Sequence, residues 1–592
     1  MILGTGLVLL TWSGAIFVVV VLGLAPALIG RGTRSWALIL RMSLWWGLLV
    51  ATGAILVINL RVPLRSAPAA WAFLLAVAFM VAASSWVYLR RGGPSRIDLA
   101  SRRRWWLAPL FVALALCACL LAVAALGPVT NYDSGLYHLG AVKYAGDFAT
   151  IHGLANVYAP FGYNNALFPL AAFLGNGLWD GIGFRLVNGL IMMLMASDLV
   201  LRLLQRRYSV GTFVLLIGLV ASWVPLIALA DYWVTSPTSD SAVMILTFVS
   251  LAYLCDALSM RRDWQANGAI VVVTGLLLVS MRPIMVFLLI GVLGVLVVRA
   301  VRLRALGGDV PELDRVLWCV VAGAAALVAV IQTIRDYFLS GWLQFPLSIL
   351  SFDVPWRAPD PTLLREATLG AARDAANFRE ASQGWSWVGP WFEALPSQWE
   401  VYELGALTLG AFVLILLARR WRCDLRARTL LLALTPSGLT VLVWFVAAPP
   451  TFRMAWGPIF CLAVIPCGWA LHAIYRSPTT TPTRRARLEA MVCSGGASVL
   501  AILCVFCTLT RLDIDSMTNE RAISAGMISV PYSVSPVALP DVQSLTLASG
   551  VSVLWPGATD QCWDVYPLCT PWPEPDLRMM GPAIQDGFKI DS

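Results

Sequence analysis

Few side chains in this sequence can do chemistry, and those that can fall at the ends of long apolar runs. The first group is Asn131-Tyr132-Asp133, followed by Tyr137, His138 and Lys143. Asp240 follows Ser236-Pro237-Thr238-Ser239, Arg282 precedes Pro283 between two apolar runs, Arg335 heads a long aromatic stretch, and Arg453 lies in PPTFRMAW. A carboxylate with several fixed cations is the set needed to take a proton from an attacking hydroxyl while a phosphate leaves. General-base help is worth roughly 10²–10⁴-fold, and a preorganised cation at a developing anion can match it. Arginine suits phosphate because its planar donors bind two oxygens at once. Asp133 is the expected base, with His138 as a second catalytic candidate. Arg282, Arg453, Arg335 and Lys143 are expected phosphate binders, and Asp240 and Tyr137 are expected to meet an acceptor or a metal. A phosphate can leave on arginine alone, so no cofactor is required; Mg²⁺ or Mn²⁺ held by Asp133 with Asp240 is compatible with the set.

Plainer roles stand beside these. Asp133 is a good helix N-cap, and Asp240 complements a helix dipole. His138 can be a base, a ligand or an interfacial hydrogen-bonder. Arg282 can snorkel to the surface, and Arg335 can anchor a membrane interface.

The elements that must position these residues are membrane helices. The chain has 592 residues, of which 59% are hydrophobic and only 13% charged, with a mean hydropathy of +0.77. Ordinary globular chains carry roughly 25% charge, so a soluble enzyme, a disordered chain and a fibrous protein are excluded. A membrane helix needs about 20 mostly apolar residues. Such runs give about fourteen spans, near 4–29, 36–60, 68–89, 105–127, 182–201, 210–230, 240–258, 268–281, 284–299, 316–334, 402–418, 429–448, 456–475 and 490–510. The opening run lacks a basic n-region and reads as a retained first span. Proline at 283 disfavours a continuous helix, so 268–281 and 284–299 read as a tightly turned hairpin. On that reading the first arm has only about 14 residues, rising about 21 Å, which would leave Arg282 recessed below the surface.

The net charge of +9 is carried by arginine clusters in alternate connections, such as Arg31/Arg34, Arg102–Arg104, Arg261/Arg262 and Arg419/Arg420. That pattern marks cytoplasmic loops, not a nucleic-acid-binding face. The opposite short connections hold only Arg61, Arg65, Lys143, Arg282 and Arg453. Segments 128–181, 335–401 and 511–592 are therefore expected outside. The division is a three-span N-terminal extension with a basic loop (1–104), a membrane core with two outer loops (105–510) and an outer C-terminal tail (511–592). Residues Ser134–Phe148 read as an amphipathic helix lying along the membrane. The aromatic loop 335–401 can line an acceptor cleft or simply cap the bundle. The tail contains strand-like VQSLTLAS and VSVLWP, so a small α/β lobe is expected. Ten of the twelve cysteines lie in or beside apolar spans; Cys562 and Cys569 stand apart in the tail and are the expected disulfide. No Walker motif supports ATP-driven transport.

An acid just past a span, Asn131-Tyr132-Asp133, followed by a helix with Tyr137 and His138, resembles the GT-C superfamily of membrane glycosyltransferases, which use polyprenyl-phosphate-linked sugars. SPTSDSAV around Asp240 and PPTFRMAW around Arg453 extend the resemblance over residues 105–475. The chain departs from that pattern in its three additional preceding spans, in lacking an Asp-Glu pair at 133, and in having no WWD-type motif in the tail. YDSGLYHLGAVKYA, SPTSD, LSGWLQFP, FRMAWG and QCWDVYPLCTP more closely resemble a family of bacterial polytopic membrane proteins of unknown activity. The GT-C resemblance implies an all-α, GT-C-like fold at the bacterial inner membrane, with the active side facing the exterior. It also implies inverting sugar transfer from a polyprenyl phosphate to a glycan, lipid or protein acceptor. Two rivals are a polysaccharide polymerase or ligase centred on Arg335, Arg357 and Arg365, and a transporter or lipid-linked-oligosaccharide flippase.

Overall fold

The structure, a computed structural model, describes residues 2–30, 35–91, 108–205, 207–228, 233–305, 312–477, 482–510, 534–535, 537–557 and 559–590. Arg31, Arg34, Arg96 and Arg102–Arg104 lie outside them. The chain is a largely α-helical, multi-pass membrane protein. Among the described residues eleven helices are long and apolar enough to cross a membrane. Three further expected spans hold shorter apolar helices, Ala108–Ala124, Val210–Leu226 and Ser494–Phe506.

The first helices are α1 (Ile2–Leu28), α2 (Trp36–Asn59), α3 (Ala67–Arg91) and α4 (Ala108–Ala124). α1 and α2 approach closely through two glycines. A Cβ at Gly47 would lie 1.7 Å from the Val19 carbonyl oxygen, and one at Gly23 would lie 2.0 Å from that of Ser43. Small residues let membrane helices meet where lipid supplies no hydrophobic drive between them. α2 also packs on α10 (Trp264–Met281), so the N-terminal spans are continuous with the rest of the bundle.

The connection after α4 is ordered by its own packing. A π-helical turn, Ser134–His138, leads into α5 (Leu139–Asp147), and α6 (Leu167–Phe173) follows after short 3₁₀ turns. The helix expected over Ser134–Phe148 is thus interrupted at its start and ends one residue earlier. Next come α7 (Val187–Leu204), α8 (Val210–Trp223), α9 (Ser239–Ser259) and α10. α9 and α10 form the centre of the bundle, whereas the spans over Ala67–Arg90 and Trp399–Arg420 leave most of their surface uncovered.

α10 is longer than its apolar run suggests. It spans 18 residues from Trp264, a rise of about 27 Å, because Trp264, Gln265 and Asn267 extend it at the start. Arg282 therefore stands at the end of a helix close to membrane length, not one turn below the surface. The expected hairpin is present: Arg282 is extended before Pro283, a 3₁₀ turn Pro283–Met285 follows, and α11 (Val286–Ala305) runs back.

α12 (Arg315–Ser340) leads into the second long connection, with α13 (Thr362–Arg373), α14 (Phe378–Gln383) and α15 (Val388–Ala394). α16 (Trp399–Arg420), α17 (Ala427–Ala447), α18 (Trp456–Arg476) and α19 (Pro482–Thr510) complete the helices. In the tail β1 (Gln543–Thr546) pairs antiparallel with β2 (Ser552–Trp555), where strands were expected. β3 (Leu577–Met579) pairs with β4 (Phe588–Ile590), and Cys562 and Cys569 are bonded. Val553, Leu577 and Phe588 share a core with Tyr144, Ile151, Leu154 and Phe161, which seats the lobe on the first long connection.

At the opposite end of α7 and α9 from these connections the bundle buries an ion network. Arg202 Nε donates to Asp198 (2.8 Å) and Nη1 to Asp256 (2.6 Å), all three without exposed side-chain area. Tyr253 Oη and Trp45 Nε1 donate to Asp198 Oδ2 at 2.7 and 2.8 Å. Removing one partner of a buried pair costs about 3–5 kcal/mol, because the other charge is left uncompensated. Arg202→Met should therefore sharply lower the thermal stability of the purified protein, and adding Asp198→Asn and Asp256→Asn should recover part of the loss. A single variant as stable as the native chain would show that the network does not hold the bundle together.

Candidate functional site

The site forms where four chain segments meet. Asp133 precedes the π turn and makes no capping hydrogen bond with its side chain, so the N-cap role does not hold. Its Oδ2 instead accepts from Arg453 Nη1 at 2.6 Å. The same nitrogen lies 3.8 Å from Asp240 Oδ2. Asp240, in the first turn of α9, is paired on its other oxygen with Arg282 Nη2. Arg282 Nη2 also donates to Ser239 Oγ (3.1 Å), and Nη1 to the Arg453 carbonyl (3.3 Å). The result is an alternating chain, Asp133–Arg453–Asp240–Arg282, with Asp240 buried at 4% exposure.

Local structure holds each member. The Thr238 hydroxyl accepts from the Asp240 amide (3.3 Å), and Asn188 Nδ2 donates to the Ser236 and Thr238 carbonyls at 2.8 and 3.0 Å. Ser134 and Ser236 hydroxyls meet at 2.5 Å, joining the π turn to the segment before α9. Such turns occur mostly as single insertions, often at functional sites. Arg453 sits in a 3₁₀ turn, Phe452–Met454, after Pro449-Pro450.

Electrostatics follow from burial. Burial disfavours the Arg453 charge, yet Asp240 and Asp133 outweigh it and hold the guanidinium above its ordinary value. His138 is pushed down to about 4, mainly by burial, against the opposing pull of Asp133 and Asp240. Its Nδ1 is buried with no hydrogen-bond partner, and its ring lies against Tyr137 and Phe168. His138 is therefore a neutral group beside the ion chain. Tyr137 is buried, and burial first, then Asp133, pushes its phenol well up. It packs edge-on against Tyr163 and Phe168.

Asp133, Asp240, Arg282 and Arg453 are thus brought together, with Tyr137 and His138 on the turn behind Asp133. Two expected phosphate binders are elsewhere. Lys143 Nζ donates to the Asp564 carboxylate and carbonyl, both at 2.7 Å. Arg335 is buried against Asn164 (3.1 Å), Asn59 (3.0 Å) and Thr150 (3.0 Å), lining a separate small cavity. Asp133 and Asp240, the pair named for a metal, share a cation of the chain itself. Arg453 Nη1 stands between the two carboxylates, where a divalent cation would sit, and no three His, Cys, Asp or Glu side chains gather among the described residues.

The tail, whose sequence offers a disulfide and strands but no reactive set, grips the π turn. Tyr132 Oη donates to Asp560, Gln561 Nε2 donates to the Tyr132 carbonyl (2.9 Å) and the Trp563 amide to that of Gly135 (2.9 Å). The indole lies so close that a Cβ on Gly135 would be 2.5 Å from it. Tyr144 Oη accepts from the Leu568 amide at 3.0 Å. The one signal was the Cys562–Cys569 spacing, which encloses most of these contacts. Beyond Arg453 lies a cavity of about 580 Å³, walled by Trp233, Trp391, Trp399, Trp456 and Glu400. Among these, Trp391, Trp399 and Glu400 come from the end of the second long connection and the start of α16.

Residues 6–459 match a family described as a domain of unknown function, DUF8201, and the chain belongs to that family. No curated protein and no solved structure matches the chain.

Two expectations follow from this geometry. A His ring with its folded value depressed from 6.5 to about 4 is neutral in both states above pH 6.5. It withdraws stability as pH falls through that window, by on the order of 3 kcal/mol in full. Histidine NMR of the solubilised protein should show a ring that titrates near 4 and vanishes in His138→Gln; titration near 6.5 would contradict the buried neutral ring. Cys562→Ser should speed amide exchange over residues 132–144, where unchanged protection would show that the lobe does not hold the turn.

Proposed function

We propose that this member of the family is a glycosyltransferase working at the outer face of a bacterial inner membrane. It moves a sugar from a polyprenyl-phosphate donor to a glycan, lipid or protein acceptor. The observation that carries the reading is one half-buried guanidinium, Arg453, shared between the carboxylate of Asp133 and a cavity large enough for a ligand. Ligand sites typically enclose about 300–1,000 Å³.

In this reaction the acceptor oxygen attacks the anomeric carbon as the bond from that carbon to the phosphate oxygen breaks. The electron pair leaves with the phosphate, and Asp133 takes the acceptor proton. Arg453, with Arg282 behind it, meets the negative charge that develops on the phosphate. In the resting site Asp133 is tied to Arg453. A phosphate that draws Arg453 toward itself frees Asp133, so donor binding and base activation are coupled through one side chain. Asp240 keeps both arginines charged and spaced. His138, neutral and behind Asp133, packs the turn in place, and no step requires a metal.

In a lipid-linked-sugar transfer assay, Asp133→Asn should lower turnover by about 10²–10⁴-fold while leaving membrane insertion intact. Arg453→Ala should lower it comparably and weaken donor affinity. Native turnover in either inserted variant would remove the transferase reading.

A further inference from the structure

We infer that the cavity beyond Arg453 is a saccharide subsite that takes the acceptor as a neutral pyranose chain; its acceptor role rests on the transferase reading above. The walls select the chemistry. Four tryptophans line it, and a tail-binding groove would present aliphatic side chains instead. Large aromatic faces offer flat apolar area with little conformational freedom to lose, which suits the C–H face of a sugar ring.

The polar wall is rich in acceptors. Glu400, Asp374 and Gln398 line the cavity, as do Arg373 and Arg453. Arg373 donates from Nη1 to the carbonyls of Ala381 (3.0 Å) and Ser382 (3.2 Å) and from Nη2 to that of Val446 (2.9 Å), and its Nε is buried without a partner. Arg453 is held by Asp133 and Asp240. Hydroxyl groups bring the donors that Glu400, Asp374 and Gln398 can accept, whereas an anionic chain laid along this wall would face the carboxylates of Glu400 and Asp374.

Glu400 is the strongest pointer. It is 6% exposed, and Oε1 accepts from Trp456 Nε1 at 3.0 Å. Its buried Oε2 has no hydrogen-bond partner. A desolvated carboxylate oxygen left unpaired is costly, and a ligand hydroxyl is a donor of the right kind. The roof is joined to the reaction centre: Trp391 Nε1 donates to the Pro450 carbonyl (3.0 Å), and its ring stacks on Phe452 at 5.7 Å, next to Arg453.

The test uses the full chain in lipid nanodiscs. Binding is measured by saturation-transfer NMR and calorimetry for three probes: maltose to maltotetraose, N-acetylglucosamine oligomers of the same lengths, and galacturonate oligomers as the anionic series. At least one neutral series should bind saturably, with affinity rising up to two or three rings, and the galacturonates should bind at least tenfold more weakly. Trp399→Ala should weaken neutral binding at least tenfold and Glu400→Gln about fivefold; Gln398→Ala serves if Trp399→Ala does not fold. Failure of both neutral series to bind, equal binding of the uronates, or native affinity in both the Glu400 variant and the tryptophan or Gln398 variant overturns the subsite. Asp133→Asn separates the two claims, since it should lower transfer by about 10²–10⁴-fold and leave saccharide affinity within about twofold. If the native chain binds saccharide but transfers nothing from any polyprenyl-phosphate sugar, the subsite stands and the transferase reading falls.

Discussion

The site depends on one guanidinium held between two carboxylates that the chain brings from far apart. Asp133 and Asp240 both lie within reach of Arg453 Nη1, and without a cation between them they would repel one another in a largely desolvated setting. Arg282 closes the series on the far side of Asp240. Two acids and two bases cancel, so the cluster is neutral as a whole while each member keeps its charge. That is the arrangement in which charged groups can be buried at a helix end without being neutralised by proton transfer.

Holding this series imposes demands on the fold. Asp240 must stand in the first turn of the most buried helix, Arg282 must stand at the break of a hairpin packed beside it, and Arg453 must enter on the turn before α18. The π turn must present Asp133 from a fourth direction. The two long connections and the tail answer these demands by packing: the first connection is seated on the tail's small core, and the second closes a cavity over Arg453. The buried Asp198–Arg202–Asp256 network at the other end of α7 and α9 follows the same rule, with carboxylates on both sides of one arginine. The two clusters brace α9 at both ends, through Asp240 and Asp256.

Much was legible in the sequence because it depends on composition along short stretches. The apolar runs, the hairpin at Arg282-Pro283, the paired strands around residues 543–555 and the Cys562–Cys569 bond all rest on local pattern, and each is present. Asp133, Asp240, Arg282 and Arg453 stood out because a charge at the end of an apolar run is rare and expensive. The same reasoning also selected Lys143 and Arg335, since residue type and sidedness cannot reveal a partner. Asp564 lies more than four hundred residues from Lys143, and Asn59 lies far before Arg335. Asp133 as an N-cap was a sound local expectation, overridden by an ion pair 320 residues away.

What the sequence determined by itself is the class of object: a chain too apolar for water, cut into membrane helices by basic and polar connections, with its reactive side chains confined to helix ends. Hydropathy is a sum over neighbours in the chain, so it reports solvent and leaves pairing unstated. Only the tertiary structure decided which cation meets which carboxylate, that the tail grips the turn bearing Asp133, and that tryptophans from separate segments enclose a cavity beside Arg453. Those are distances between residues remote in the chain, set by how α9, α10 and α18 pack. Equally apolar helices such as α3 and α9 take opposite places, one at the rim and one at the centre, because the choice between lipid and protein neighbours depends on shape complementarity and polar partners that no linear pattern carries.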